Sequence, residues 1–160
     1  MRLLNITIYA LLIAAVFLSC KSEGPLSPKE AFTGYKNAYE KSDGNEMEKL
    51  LSERSKEKIR IIIKMFTQMN DPQLKALGEK FGTNIKKLKN LSVGDYLSIQ
   101  ISMSKNNSDD IFSKIAKQKI IGVDIKDNRA LARIENGMEL VFVKEGRYWK
   151  FDIDELSSKN

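Results

Sequence analysis

The sequence predicts an α+β fold, with N-terminal helices packed on a C-terminal antiparallel meander of four strands. Two observations carry this. From Lys119 to Ile153 short apolar runs alternate with tight turns: Lys119–Ile125, then Asp127-Asn128, Ala130–Ile134, Asn136-Gly137, Met138–Val143, Glu145-Gly146 and Arg147–Ile153. Asn-Gly between apolar runs signals a hairpin, because both central residues of a type I′ turn need φ > 0. Upstream of Lys119 the apolar residues recur at helical spacing instead, and helices of that kind need a sheet against which to bury their apolar faces.

Several signals agree on the first helix. Ser27 suits the N-cap, Pro28 the first helical position, and Glu30 completes a capping box. Leu26 and Ala31 are placed for a hydrophobic staple. Ala31, Phe32, Tyr35, Ala38 and Tyr39 then share one face, until Asp43-Gly44 stops the helix. Asn45 is the expected cap of a short second helix with Met47, Leu50 and Leu51 inward. Ser55 opens a third, with Ile59, Ile62, Ile63, Phe66 and Met69 in one stripe. Ile61 and Met65 widen that stripe and point to burial on two sides. After Asn70-Asp71-Pro72 the pattern weakens; Pro72–Phe81, Val93–Met103 and Asp109–Lys117 read as short helices.

Composition excludes much chemistry. The 160 residues suffice for one domain, expected over 27–156, behind a leader. Histidine is absent and Cys20 is the sole cysteine, so no Ser-His-Asp triad, Cys-His pair, usual zinc site or internal disulfide can form within the chain. Asp109-Asp110 reads as helix N-terminal charge rather than a metal ligand pair. No cofactor is implied.

Residues 1–19 read as a signal peptide: Arg2, then an apolar run from Ile6 to Leu18 broken only by Thr7, then Ser19 and Cys20. Phe17-Leu18-Ser19-Cys20 resembles the lipobox of bacterial lipoproteins, with Phe17 where leucine is usual and Leu18 one place later. The resemblance implies lipid attachment at Cys20 and cleavage before it; an uncleaved anchor helix and a secreted chain with a free thiol are the alternatives. Residues 20–26 would form a short tether, about 25 Å from Cys20 to Ser27 if fully extended, keeping the domain near the membrane. Lys21 rather than Asp after the cysteine resembles the sorting pattern for outer-membrane delivery.

The capped aromatic helix, the Met/Leu helix and the closing Gly146, Trp149, Lys150, Phe151 and Ile153 resemble small bacterial lipoproteins of the nuclear-transport-factor-2-like (cystatin-like) superfamily. The resemblance covers Ser27–Asp43 and Gln118–Ile153. It implies a strongly bent sheet wrapped around the first helix, with a cone-shaped cavity that some relatives use for ligands or catalysis.

Strand alternation places Ile121, Val123 and Ile125 on one face and Trp149, Phe151 and Ile153 likewise, where they would form the core with Phe32, Tyr35 and Tyr39. The sharper alternative is a pocket in which Tyr35, Tyr39 and Trp149 offer polar groups to a small apolar ligand. Asp124 and Asp152 are the strand carboxylates that an enzyme of this superfamily would need, but their alternation directs both to solvent. Without residues 1–19 the chain keeps 26 basic and 21 acidic residues, a net of +5. Lys86-Lys87-Leu88-Lys89 and Lys56, Lys58, Arg60, Lys64 are the densest basic groups. They suit solvated helix faces first and an anionic lipid surface second. An exported chain without a nucleic-acid motif gives no reason to expect nucleic acid as a partner. The expectation is a non-enzymatic envelope lipoprotein binding a protein or a small apolar ligand. A cavity-carboxylate enzyme and a structural protein held to lipid by a basic face are the rivals.

Overall fold

The computed structural model describes residues 24–157, so the leader and Cys20 lie outside the described residues. Among the described residues seven helices come first: α1 (Pro28–Lys41), α2 (Gly44–Leu50), α3 (Glu53–Thr67), α4 (Asp71–Phe81), α5 (Ile85–Leu88), α6 (Val93–Lys105) and α7 (Ile111–Ala116). Four strands follow: β1 (Ile120–Lys126), β2 (Arg129–Ile134), β3 (Glu139–Glu145) and β4 (Tyr148–Ser157). They form one antiparallel sheet in the order β1-β2-β3-β4. This is the expected arrangement of helices followed by a meander.

The caps fall beside their expected places. Ser27 caps α1 by accepting from the Glu30 N–H, but the Glu30 carboxylate reaches the Leu26 N–H rather than that of Ser27. Leu26 is exposed and makes no staple. Ser42, at φ 55°, ends α1, and Asp43 is the N-cap of α2, accepting from the Glu46 N–H. Asn45 is therefore inside α2. Its first residue is Gly44, whose N–H donates to Ser98 Oγ on α6. A Cβ at Gly44 would collide with the Gly94 carbonyl, and one at Gly94 with the Asn45 side chain. Two glycines thus let α2 and α6 approach to backbone contact. The cap of α3 is Ser52, one turn before the expected Ser55. Capping boxes do occur at Asn70–Gln73 and Ser92–Asp95. The charge-rich segment around Lys86 holds α5, which periodicity missed; its signal was the capping Asn84.

Two buried clusters result. The main one joins Phe32, Tyr35, Met47, Leu51, Ile59, Leu97, Ile101 and Ile115 from the helices to Ala130, Ala132, Ile134, Leu140, Phe142, Trp149 and Phe151 from the sheet. The second, Phe66, Leu74, Leu88 and Leu91 with Phe81 and Tyr96 against them, unites α3–α6 away from the strands.

Strand facing departs from simple alternation at β1. A bulge between Ile120 and Gly122 removes Ile121 from the register; Ile120 packs on the core and Ile121 is 67% exposed. Val123 pairs with Ala132 and packs on the core as expected. Ile125 pairs with Ala130 but lies at the hairpin tip, 59% exposed. A second irregularity, between Glu139 and Val141, interrupts the β3–β4 ladder. The turns differ too. Only Gly137 of Asn136-Gly137 has positive φ, and Ile134 N–H reaches across to Met138 O. The loop is thus three residues closed by a left-handed glycine, not a type I′ turn.

Helix α3 is buried on one side only. Ile59 and Phe66 are buried and Ile63 partly so, while Ile61 and Met65 are each 54% exposed and Ile62 is exposed as well. The wide apolar stripe of α3 exceeds what the body covers, so burial on two sides does not occur.

The glycine contact gives a stability test. Gly94→Ala should destabilise the domain by about 1–3 kcal/mol, the range for overpacking a tight contact, measured by urea unfolding. An unchanged midpoint would mean that α2 and α6 separate without loss.

Candidate functional site

The expected pocket residues meet in the core, and the structure fills the space between them. Tyr35 is fully buried, its ring 5.4 Å from that of Phe151 in an edge-on contact and 6.2 Å from that of Phe32. Its hydroxyl donates to the Phe112 carbonyl at 3.2 Å. The Tyr39 hydroxyl shares a buried hydrogen bond with Ser104 Oγ at 3.2 Å. Trp149 is buried in the same cluster. Both tyrosine hydroxyls are thereby engaged within the protein. Burial above all, reinforced by Tyr39 and Asp110, raises the Tyr35 pKa well above the ordinary tyrosine value.

The two strand carboxylates differ sharply. Asp124 is exposed and faces Arg133 at 3.5 Å. Asp152 was expected to face solvent and is instead 2% exposed. Alternation does aim it away from Trp149 and Phe151, but the start of α3 covers that side. Ser55 Oγ donates to Asp152 Oδ1 at 3.2 Å, and the Asp154 N–H donates to the same oxygen at 3.1 Å. Ser52 Oγ donates to Ser55 Oγ at 2.9 Å, and Ser55 Oγ also accepts from the Ile153 N–H at 3.0 Å. Ser52, Ser55 and Asp152 thus form a closed buried relay. Ser52 is the cap of α3 and Ser55 lies three residues on, and their link to Asp152 gave no sequence signal, since it depends on α3 lying beside β4.

A ring of charge surrounds this relay. The Asp154 carboxylate sits 3.3 Å from Arg54 Nε and 2.9 Å from Lys58 Nζ, and Glu155 bridges Arg54 and Arg129 at 2.7 and 2.5 Å. On α3 the Glu53 carboxyl is held down to about 2, first by the hydrogen bond from Lys56 and then by that from Arg60. Because Glu53 is largely exposed, this local pair contributes little to stability. The lysines of α3 named as a basic cluster are therefore largely paired with acids.

Chemically, the relay links α3 to β4: its hydroxyls point at one another and at Asp152 Oδ1, which also accepts from the Asp154 N–H. Among the described residues, no group of three or more His, Cys, Asp or Glu side chains could hold a metal ion, and no helix is long and apolar enough to cross a membrane. A surface groove of about 670 Å³ lies at the β1–β2 tip, lined by Asp124–Arg129 and Leu131. No protein-family model matches the chain, and no curated protein or solved structure is significantly similar to it.

Two outcomes test this description. Burial raises the folded pKa of Tyr35 above its unfolded value near 10, so its contribution is full below pH 10 and is lost as pH rises toward the folded value. Stability from urea unfolding should therefore fall above pH 10, and Tyr35→Phe should fall less steeply there; parallel slopes would show that Tyr35 ionises freely. At neutral pH, Ser55→Ala should cost about 1–3 kcal/mol by leaving Asp152 and the Ile153 N–H short of a partner. A loss under about half a kcal/mol, within the range of an ordinary surface change, would mean that water replaces the hydroxyl.

Proposed function

We propose that this chain is a bacterial envelope lipoprotein, anchored through Cys20 and sorted to the outer membrane, whose single domain is a non-enzymatic interaction module. We also propose that the domain belongs to the nuclear-transport-factor-2-like (cystatin-like) type. The observation that carries the interaction reading is a filled core combined with unused apolar surface. Tyr35, Tyr39 and Trp149 pack where a ligand pocket would lie, while Ile61, Ile62 and Met65 project outward from α3. Apolar side chains grouped on one exposed helix face suit a protein partner. The cavity-carboxylate alternative would employ Asp152, yet Asp152 faces Ser55 on the side of β4 away from the aromatic core. A small apolar ligand and a structural role remain the other readings of the same anchored domain.

The test uses the full chain in a bacterial envelope with a photo-crosslinking residue at Ile61. The parent chain should partition into the detergent phase and give a discrete higher-mass adduct on irradiation. Cys20→Ala should leave the detergent phase, because its acylation nucleophile is gone. Retention of Cys20→Ala with an uncleaved leader would replace the lipid anchor by an anchor helix, and absence of any adduct would overturn the interaction reading.

A further inference from the structure

The first described residues lie along β4. The Gly24 backbone lies against the Tyr148 ring, close enough that an added Cβ would sit 2.9 Å from Tyr148 Cγ. The Trp149 N–H donates to the Pro25 carbonyl at 2.9 Å. Gly24 beside Tyr148 and Pro25 beside Trp149 mean that this segment runs in the same direction as β4. Gly24, at its start, lies beside Tyr148, the residue that follows the turn Glu145-Gly146-Arg147. The stretch expected to be a free tether is therefore shortened, since Pro25 is hydrogen-bonded to the sheet. Three residues lie between Cys20 and Gly24, and the four Cα–Cα steps reach at most about 14 Å.

That end of the sheet is formed by two hairpin tips. The Lys144 N–H donates to the Asn128 carbonyl at 2.7 Å, which holds the β1–β2 tip beside the β3–β4 tip. Lys126, Lys144 and Arg147 are exposed there, and among the described residues neither lysine makes an ion pair. The Arg147 guanidinium lies 4.8 Å from the Tyr148 ring centre. Arg129 is taken by Glu155; the Glu145 carboxylate accepts from the Glu53 N–H and keeps its charge, and Asp127 faces solvent, so Lys126, Lys144 and Arg147 stand against two acids at the tips. Exposed Ile125 and the surface groove adjoin this basic group.

We propose that the paired hairpin tips rest on an anionic lipid surface, with Lys126, Lys144 and Arg147 against the headgroups and Ile125 at the interface. This rests on the lipid-anchor reading and deepens it. The short reach from Cys20 brings these tips, and not the lysines of α5, to the bilayer. Basic side chains near an anionic surface add to acyl anchoring as a second signal. The exposed face of α3 is then left free: α3 starts beside Phe151 and Ile153 and runs on past Asp154, away from the tips.

The experiment uses the full chain, purified from membranes and reconstituted into phosphatidylcholine vesicles with or without phosphatidylglycerol, all doped with a headgroup-nitroxide lipid. Acylated Cys20 leaves no thiol, so a fluorophore attaches only to a cysteine introduced as Asn128→Cys at the tips or Asn90→Cys beside the α5 lysines. Quenching should be strong at position 128, weak at position 90, and increased at 128 by phosphatidylglycerol. Reversing Lys126, Lys144 and Arg147 to Glu should cut that increase at least about fivefold, the scale of a single basic contact with an anionic surface, with the circular dichroism unchanged. Equal quenching at both positions, stronger quenching at 90, or no effect of charge reversal would overturn the proposal alone. Fluorophore uptake by the parent chain, which carries no introduced cysteine, would overturn the lipid anchor and this proposal together.

Discussion

The outer edge of β4 is completed by segments that are not strands. At alternate residues Trp149 N–H bonds Pro25 O, Phe151 O accepts from the Ser52 N–H, and Ile153 N–H bonds Ser55 Oγ. An open strand edge presents a row of unpaired backbone groups that another chain can pair with. Here the row is occupied by the entry to α1 and the entry to α3. The same three hydrogen bonds therefore cover the β4 edge and seat two helices against it.

This constraint accounts for the buried acid on the face away from the core. Docking Leu51–Ser52 alongside Phe151 brings the first turn of α3 over Asp152. A carboxylate removed from water requires donors in compensation, and Ser55 Oγ and the Asp154 N–H supply them. The relay then ties α3 to β4 through polar contacts on one face while Tyr35, Phe142 and Phe151 pack on the other. Helix α3, fixed at its start by the edge and farther along by Ile59 and Phe66, keeps its remaining apolar side chains turned outward.

Function divides along the same line in the reading proposed above. The edge of β4 directs the N-terminal segment to the hairpin tips, so the membrane-facing end and the exposed face of α3 are separate surfaces. A short tether and a segment held along β4 together orient the domain, where a long flexible linker would leave it free to tumble.

The sequence by itself determined the order of helices and strands apart from α5, because periods of 3.6 and 2 and the turn residues Asp127-Asn128, Asn136-Gly137 and Glu145-Gly146 are local properties. It also placed Tyr35, Tyr39 and Trp149 in the interior, since large aromatics on an amphipathic face have no better environment. What it misplaced depended on which neighbour covers a face. A bulge exposed Ile121, the hairpin tip exposed Ile125, and among the described residues no element covers Ile61 and Met65. Asp152 went the other way: alternation aimed it correctly off the aromatic face, and only the docking of α3 on the edge of β4 turned that position into a buried one. Burial of a side chain is set by contacts distant in sequence, and Ser55 and Asp152 stand 97 residues apart.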